Sequence, residues 1–407
     1  MAVSRMVVVG LNGATFDLIG PWIAEGKLPT FARLLADGAH GELRSTLPVS
    51  TPSASMSAAT GRNPGAHNVY GCSRVASEGR GGVPVSFADV CARRVWDVAT
   101  DYGKRVAVVR LPLTHSCSAL DGRFIVPYGP SDVGVAARKI DDLRAFRDDA
   151  FARQRAQIAE TLELLDRRAW DLLWASFDGL DAVQRSFWHF MDPSHPAHPR
   201  SSDLRDTILE VYQLLDEGLA QMMKRLDDRT SLLVVSEHGA CGLESYVLLA
   251  RWLEVAGYLV MKGDGASSTP AVGGSIGAGA YALVRALRQS GLGWLPNLLP
   301  QRPSAKEPAV KPSFVALTGD VDWSATRVYC PFPAEGGLRV NLRGREANGV
   351  VAPGDFTRVC DEVAAALLAL VDPATDRKVV RAVHRRDEIF VTESCGLKRR
   401  FLQQHER

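Results

Sequence analysis

Short apolar runs alternate with longer helical patterns along this chain, and that alternation is what most constrains its fold. The clearest strand-like runs are Met6–Val9, Val106–Val109, Leu172–Phe177 and Leu232–Ser236. A run that is apolar at successive positions is typical of a strand buried on both faces, and such strands form parallel sheets covered by helices. We therefore predict an α/β three-layer sandwich whose central sheet is mostly parallel.

Helical periodicity occupies the stretches between these runs. The helical stretches are Pro29–Asp37, Ser53–Thr60, Ala152–Asp166 and Ser202–Asp227. In the last of them, apolar residues recur every three or four positions, which predicts an amphipathic helix packed on the sheet. Together these patterns predict one α/β domain over residues 1–407.

Two segments have a different character. Residues 262–312 carry GDGASS, GGSIGAGA and LPNLLPQRP, a Gly- and Pro-rich composition that predicts an inserted surface segment. A role as a lid and a role as a packing patch both remain open for it. Beyond it, Asp322–Asn341 is predicted to be extended and Asp355–Leu370 helical, and residues 391–407 form a polar, basic tail.

Charge and hydropathy limit the kinds of partner that the chain is expected to bind. The chain has 48 Lys and Arg against 46 Asp and Glu, a net charge of +2, and the basic residues are scattered. Because nucleic-acid binding needs a concentrated basic surface, this composition argues against nucleic acid as the main partner. No stretch approaches the ~20 apolar residues of a membrane span, and MAVSR leads directly into a strand, so we predict a soluble chain without a signal peptide or membrane contact.

Cysteine usage predicts the compartment. The seven cysteines are odd in number and far apart, without a CxxC pair: Cys72, Cys91, Cys117, Cys241, Cys330, Cys360 and Cys395. This pattern favours reduced thiols, most of them small core residues, and hence a cytoplasmic protein. The sequence gives no prediction of the oligomeric state.

Polar residues follow several of the predicted strands directly. Asn12 follows the first strand, the segment containing Asp181 follows another, and Glu237 and His238 follow the last. Ligands of open α/β sheets bind outside the carboxyl ends of the strands, so these residues are expected to share one edge of the sheet.

Thr51 precedes a predicted helix and has two interpretations. With Pro52 at the first helical position, Thr51 stands where an N-cap residue would, and its hydroxyl would then only cap the helix. The same position also faces free N–H groups and the positive end of the helix dipole, where a phosphoryl group would be held. The local sequence does not separate the two.

Longer segments carry a family resemblance. GLNGATFD, STLPVSTPSASMSAATGRNPGAHNVYG, DGLDAVQRSFWHFMDPSHP, LLVVSEHGACG and DWSATRVYCPFP occur in this order. They resemble the type I phosphodiesterase/nucleotide pyrophosphatase family of the alkaline phosphatase superfamily, over nearly the whole chain to about Asp387. The resemblance implies an alkaline-phosphatase-like sandwich in which two divalent metals, usually zinc, flank a Thr or Ser that becomes phosphorylated.

Carried over residue by residue, the resemblance makes Thr51 the nucleophile and keeps Asp181 and His238 as metal ligands. Other positions depart from the family pattern: Asn12 stands in place of an Asp, Glu237 in place of the Asp before His238, and Arg185 in place of a His. The late glycine-rich His segment of the family has no counterpart before the sequence ends.

These departures predict a depleted metal centre. One ion would keep only Asp181 beside the permanent charge of Arg185, which repels a divalent cation, so that position should be empty. The other would keep Asn12, Glu237, His238 and the Thr51 oxygen. We expect at most one firmly bound divalent metal, zinc by resemblance. Arg185 would either pair with Asp181 as an i, i+4 salt bridge or grip a phosphate or sulfate.

The sequence thus predicts a phosphate-ester or phosphodiester hydrolase, or a phosphoryl transferase. Thr51 and Arg185 would carry the chemistry, with Arg185 and Asn12 contacting the substrate. The alternative is a catalytically inactive relative that binds an anion or nucleotide between Thr51 and Arg185. In either case the ligand would be a small-molecule phosphate, a nucleotide or a sulfate ester.

Overall fold

The structure is a computed structural model that describes residues 4–75, 82–114, 123–126, 140–243, 247–262, 321–332, 337–372 and 375–390. The predicted inserted segment beyond Lys262 and the predicted tail 391–407 lie outside the described residues. The chain forms two compact units, which we describe separately. Unit 1 comprises Met1–Arg74, Pro84–Tyr246 and Phe390–Gln403, and unit 2 comprises Val75–Val83, Val247–Ile389 and Gln404–Arg407.

Unit 1 is built on a parallel sheet. The described strands of the chain are β1 (Arg5–Leu11), β2 (Ser73–Val75), β3 (Gly82–Pro84), β4 (Val106–Val109), β5 (Arg123–Val126), β6 (Leu172–Phe177), β7 (Thr230–Val235), β8 (Val328–Phe332) and β9 (Gly337–Val340). Five of them form the central sheet in the order β5-β4-β6-β1-β7, and every pairing in it is parallel. The predicted parallel α/β sheet is confirmed.

Helices flank this sheet, and others lie in the rest of the chain. The described helices are α1 (Phe16–Ala24), α2 (Pro29–Asp37), α3 (Thr51–Thr60), α4 (Pro64–His67), α5 (Val95–Asp101), α6 (Ile140–Arg167), α7 (Gly179–Met191), α8 (Thr207–Met223), α9 (Leu249–Val255), α10 (Phe356–Leu368) and α11 (Arg386–Ile389). Helix α8 is shorter than predicted. Before its first residue, Thr207, the Ser202 hydroxyl accepts a hydrogen bond from the Leu204 N–H, a local turn that competes with helix formation.

Alternate side chains of β1 enter two different cores of unit 1. Val7 and Val9 belong to a large cluster that includes residues of α2, α6, α7 and α8. Val8 faces the other side, where Met56 of α3 and Trp96 of α5 pack against the sheet. Helices therefore cover both faces of the sheet, as the doubly buried strands require.

Unit 2 has its own core. Strands β8 and β9 pair antiparallel, and their buried residues join those of α9 and α10 in one cluster. Val359, Val363 and Leu367 form the buried stripe of α10, at the spacing of an amphipathic helix. Among the described residues, no helix combines the length and apolar character needed to cross a membrane.

The cysteine prediction is corrected at one position. Cys91 is disulfide-bonded, so the expectation that all the thiols are reduced is wrong there. Cysteine spacing along the sequence does not report which thiols meet in space, which is why the pattern misled. Cys72, Cys241, Cys330 and Cys360 are free, and of these only Cys330 is buried. Cys117 and Cys395 lie outside the described residues.

Candidate active site

The N-terminus of α3 places Thr51 one position further into the helix than predicted. Ser50 is the N-cap: its backbone is extended, and its hydroxyl accepts a hydrogen bond from the Ser53 N–H at 3.4 Å. Thr51 is the first helical residue and Pro52 the second, so the interpretation in which Thr51 is the N-cap is wrong. Because Ser50 supplies the cap, the Thr51 hydroxyl is left available for another partner.

That partner is His238, which follows β7. The Thr51 Oγ1 lies 3.0 Å from His238 Nε2, and His238 Nδ1 lies 3.1 Å from the carbonyl oxygen of Gly239. A carbonyl oxygen only accepts hydrogen bonds, so this network assigns the proton to Nδ1 and leaves a lone pair on Nε2. The Thr51 hydroxyl then donates to Nε2. A hydroxyl, a base and a group that orients the base are thereby aligned, the arrangement typical of an activated nucleophile.

Helix α7 presents Asp181 and Arg185 one turn apart. Arg185 Nε lies 2.9 Å from both carboxylate oxygens of Asp181. The predicted i, i+4 salt bridge is therefore formed. The Arg185 side chain is 50% exposed, and its two terminal nitrogens make no hydrogen bond to any described residue. The salt bridge thus leaves part of the guanidinium donor set free to meet an anion.

A cavity of about 210 Å³ in unit 1 brings four predicted residues together: Thr51, Asp181, Arg185 and His238. Gln184, Trp188 and the turn Gly239–Cys241 also line it, with Val49 and Ser50. The carboxyl ends of the strands and the N-termini of α3 and α7 therefore meet here, as the strand-end pattern in the sequence predicts.

Asn12 and Glu237 do not line this cavity. They follow neighbouring strands, each two residues beyond the last β1–β7 pair, Gly10–Val235. Asn12 is fully buried, and neither the oxygen nor the nitrogen of its side-chain amide has a hydrogen-bond partner in the part of the chain that the structure describes. Glu237 is 3% exposed: its Oε1 accepts a hydrogen bond from the Ser55 hydroxyl at 3.2 Å, whereas its Oε2 has none. Burial raises the pKa of the Glu237 carboxyl.

The described residues do not fit the two-metal centre that the family resemblance implies. They contain no group of three His, Cys, Asp or Glu side chains placed to hold an ion. Both oxygens of the Asp181 carboxylate accept hydrogen bonds from Arg185 Nε, and the positive charge of Arg185 opposes a cation there. What fits in part is a single-ion position, since Asn12 Oδ1 and Glu237 Oε2 are buried oxygens without partners.

Gln184 was not predicted from the sequence, and its buried side chain supports the site through hydrogen bonds. This side chain is 1% exposed, and its amide donates to the Gly13 carbonyl at 2.9 Å. The hydroxyl of Tyr212 donates to Gln184 Oε1 and accepts from the Thr15 N–H. This buried network ties the loop after β1 to α7. The available signal was the helical spacing of Gln184 from Asp181, three residues on.

The fold and site define a class: an α/β protein with a hydroxyl–histidine pair at the strand ends, beside a helix N-terminus and an arginine. Residues 6–400 match the type I phosphodiesterase / nucleotide pyrophosphatase family, and the chain belongs to that family. The family predicted from the sequence motifs is confirmed. No curated protein is detectably similar to the chain.

Several solved structures resemble parts of the chain. One is phosphonoacetate hydrolase from Sinorhizobium meliloti 1021 in complex with phosphonoformate, with 20% identity, a TM-score of 0.45 and 62% of each chain covered. Another is an inactive variant of murine ectonucleotide pyrophosphatase / phosphodiesterase 5 in complex with AMP, with 16% identity, a TM-score of 0.39 and 63% of each chain covered. A third is the C-terminal periplasmic domain of EcEptC from Escherichia coli in complex with Zn, with 10% identity, a TM-score of 0.34 and coverage of 59% of this chain and 65% of that one. The chain thus spans less than two thirds of the length of each.

Proposed function

We propose that the chain is a phosphate-ester or phosphodiester hydrolase, or a related phosphoryl transferase, that uses Thr51 as its nucleophile. The observation that carries this proposal is the 3.0 Å contact between Thr51 Oγ1 and His238 Nε2 at the N-terminus of α3. Membership of the type I phosphodiesterase / nucleotide pyrophosphatase family supports the substrate class.

The residues present account for the first chemical step. Thr51 Oγ attacks phosphorus and forms a P–O bond while the bond from phosphorus to the leaving oxygen breaks. The hydroxyl proton passes to His238 Nε2, and the imidazolium keeps its Nδ1–H bond to the Gly239 carbonyl. The first leaving oxygen lies on the far side of phosphorus from His238 and takes a proton from solvent. In the second step water in a hydrolase, or an acceptor hydroxyl in a transferase, attacks phosphorus and releases its own proton to solvent. The bond from phosphorus to Thr51 Oγ then breaks, and the His238 imidazolium returns its proton to that oxygen.

Two elements, the N-terminus of α3 and Arg185 on α7, would stabilise the negative charge on the phosphoryl oxygens. The N-terminus of α3 turns the positive end of its dipole toward the cavity at Thr51. From α7, the terminal nitrogens of Arg185 supply fork-shaped donors suited to phosphate oxygens. Arg185 in this proposal stands in for the charge of one missing ion.

A divalent metal, at most one, is part of the proposal. Asn12, Glu237 and His238 would hold it, with the Thr51 oxygen, and zinc is the ion that the family resemblance suggests. Because His238 Nδ1 donates to the Gly239 carbonyl, Nε2 would be the ligand, and in the ion-bound protein it would not also serve as the base for Thr51. When bound, such an ion would supply positive charge near the phosphoryl oxygens and lower the pKa of the Thr51 hydroxyl. The Asp181 side of the cavity would remain without an ion.

The test is hydrolysis of p-nitrophenyl phosphate and bis(p-nitrophenyl) phosphate, with and without added Zn²⁺ or Mn²⁺. Thr51→Ala should lower kcat/KM about a thousandfold or more, because it removes the nucleophile. Thr60→Ala is the matched control: it removes a hydroxyl from the other end of α3, where it bonds only the Met56 carbonyl and the Arg62 N–H. Mass spectrometry of a trapped intermediate should find phosphate on Thr51. Equal rates for Thr51→Ala and wild type would refute the proposal.

A second candidate is an anion-binding protein without catalysis. The observation that favours it is the pair of hydrogen bonds from Arg185 Nε to both Asp181 oxygens, which would leave that carboxylate unsuited to one metal position that the family resemblance implies. Calorimetry with sulfate and AMP on wild type and Arg185→Glu separates the two candidates. Binding that is lost in Arg185→Glu, with no turnover of any ester by wild type, would support this second function. Turnover that depends on Thr51 would exclude it.

A further inference from the structure

One face of α7 lines the cavity over two helical turns. Asp181, Gln184, Arg185 and Trp188 all contribute to the lining, at positions i, i+3, i+4 and i+7. Residues with this spacing lie in a row on one face of a helix. The row begins with charged groups and ends with an indole, so the cavity changes from polar to apolar along the helix axis.

The Trp188 ring is held in place by contacts at its edge. Its Nε1 donates to Asp192 Oδ2 at 3.2 Å. The other oxygen of Asp192 accepts hydrogen bonds from the N–H and the hydroxyl of Ser194, at 2.9 Å and 2.7 Å. Gly242 packs against the same edge, because a Cβ added there would lie 2.9 Å from Trp188 Nε1. The polar atom of the indole is therefore satisfied, and the ring is preorganised before any ligand arrives.

Helix geometry fixes the spacing between the anion-binding end and this ring. Arg185 and Trp188 are three residues apart, which is a rise of about 4.5 Å along the axis. A phosphoryl group held by Arg185 and the α3 N-terminus therefore carries its ester-linked group toward Trp188. The cavity of about 210 Å³ has room for a phosphoryl group and one ring-sized substituent. Val49 and Ala240 add apolar surface to the same lining.

We propose that Trp188 determines specificity, and that the preferred substrates are phosphate esters whose ester-linked group is flat and aromatic. This inference rests on the proposed function, because it uses the phosphoryl position beside Thr51 and Arg185. It adds the class of organic group that the site accepts. Trp188 acts by contact with that group and takes no part in proton transfer.

The test compares two ligands that differ only in the organic group and have no ester bond to cleave: phenylphosphonate and methylphosphonate. Calorimetry of the full chain should show wild type binding phenylphosphonate about tenfold more tightly, as expected for one aromatic contact. Trp188→Ala should bind both equally, with its methylphosphonate Kd within about twofold of wild type. Trp188→Phe should keep most of the preference. Tyr102→Ala, which removes a 78% exposed ring on α5's C-cap, is the control and should behave as wild type.

Two further results would overturn the inference. One is a wild type that binds the two phosphonates equally; the other is a Trp188→Ala protein that keeps the phenyl preference. If Trp188→Ala does not fold, Trp188→Leu against Trp188→Phe decides in the same way, because Leu is apolar but has no ring. None of these results depends on turnover. The proposed function fails separately, if Thr51→Ala hydrolyses esters as fast as wild type does.

Discussion

At the residue scale, the protonation of one imidazole decides what Thr51 can do. The Gly239 carbonyl accepts a hydrogen bond from His238 Nδ1–H. The other ring nitrogen, Nε2, therefore carries a lone pair and can act only as the acceptor for the Thr51 hydroxyl. A histidine without that carbonyl would be free to adopt either tautomer, and the Nε2–H tautomer would offer the hydroxyl an N–H instead of a lone pair. The Gly239 carbonyl is therefore a positioning group for the proposed base.

His238→Ala tests this role. We expect kcat/KM for p-nitrophenyl phosphate to fall between about a hundredfold and ten-thousandfold, the range typical of a lost general base. The control is His40→Ala, which removes an exposed histidine that does not line the cavity. An unchanged rate in His238→Ala would show that Thr51 needs no proton acceptor at this position.

Another histidine makes stability depend on pH. His67 is fully buried in α4, and burial lowers its pKa to about 4 from 6.5. The Val69 N–H donates to Nδ1, so the proton is on Nε2 and points at the Ser57 hydroxyl, 2.9 Å away. The folded protein thus holds His67 neutral, whereas the unfolded chain binds a proton below pH 6.5. The free energy of unfolding should fall as the pH drops from about 6.5 to about 4.

The expected size of this loss is about 3 kcal/mol at pH 4, because each unit of pKa difference corresponds to about 1.4 kcal/mol. Urea unfolding at pH 7.5 and pH 4.5 measures it. His67→Gln keeps an N–H donor for Ser57 but does not titrate, so its stability should decline less over the same interval. Parallel declines in the two proteins would assign the pH dependence to other groups.

At the scale of the elements, α7 carries Arg185, one of the positions at which the chain departs from the pattern that the family resemblance implies. An Arg at i+4 from Asp181 makes a salt bridge, whereas a His at that spacing would offer a second ligand to a metal. Arg185→His should therefore raise zinc affinity, by about tenfold or more, since one repelling charge is exchanged for one ligand. Elemental analysis and zinc titration measure the change.

The matched control for that variant is Arg153→His. Arg153 forms an i, i+4 salt bridge with Asp149 on α6, so the variant makes the same exchange on another helix. If both variants gained equal zinc, the gain would belong to any Asp–His pair on a helix. It would then say nothing about a remnant metal position in the cavity.

The bounds of the helices and strands also show how much of the structure could be predicted from the sequence. Strands β4 and β6 match their predicted bounds, because runs buried on both faces are apolar at every position. The N-cap of α3 is Ser50, one residue before the position considered from the sequence. Both Ser and Thr favour the N-cap, and only the backbone angles distinguish Ser50 from Thr51. Trp188 and Gln184 were missed because their roles depend on how α7 is rotated against the sheet, which periodicity alone does not give.

At the scale of the whole molecule, ligand binding and folding are linked. An anion that binds the folded chain but not the unfolded one stabilises the protein by an amount set by its concentration and Kd, about 2.7 kcal/mol at a hundred times Kd. The cavity lies wholly in unit 1, between the N-termini of α3 and α7. Anion binding should therefore raise the free energy of unfolding of the unit that contains the parallel sheet.

Sulfate provides the last test. Wild type should gain unfolding free energy with the logarithm of sulfate concentration, over a NaCl control of equal ionic strength that removes general screening. Arg185→Glu should lose this dependence, because it puts a carboxylate where the guanidinium would meet the anion. Arg153→Glu, which reverses the charge of an equally exposed helical arginine, should keep it. Equal sulfate dependence in the two variants would remove Arg185 from the anion site and leave the α3 N-terminus to hold the phosphoryl group without it.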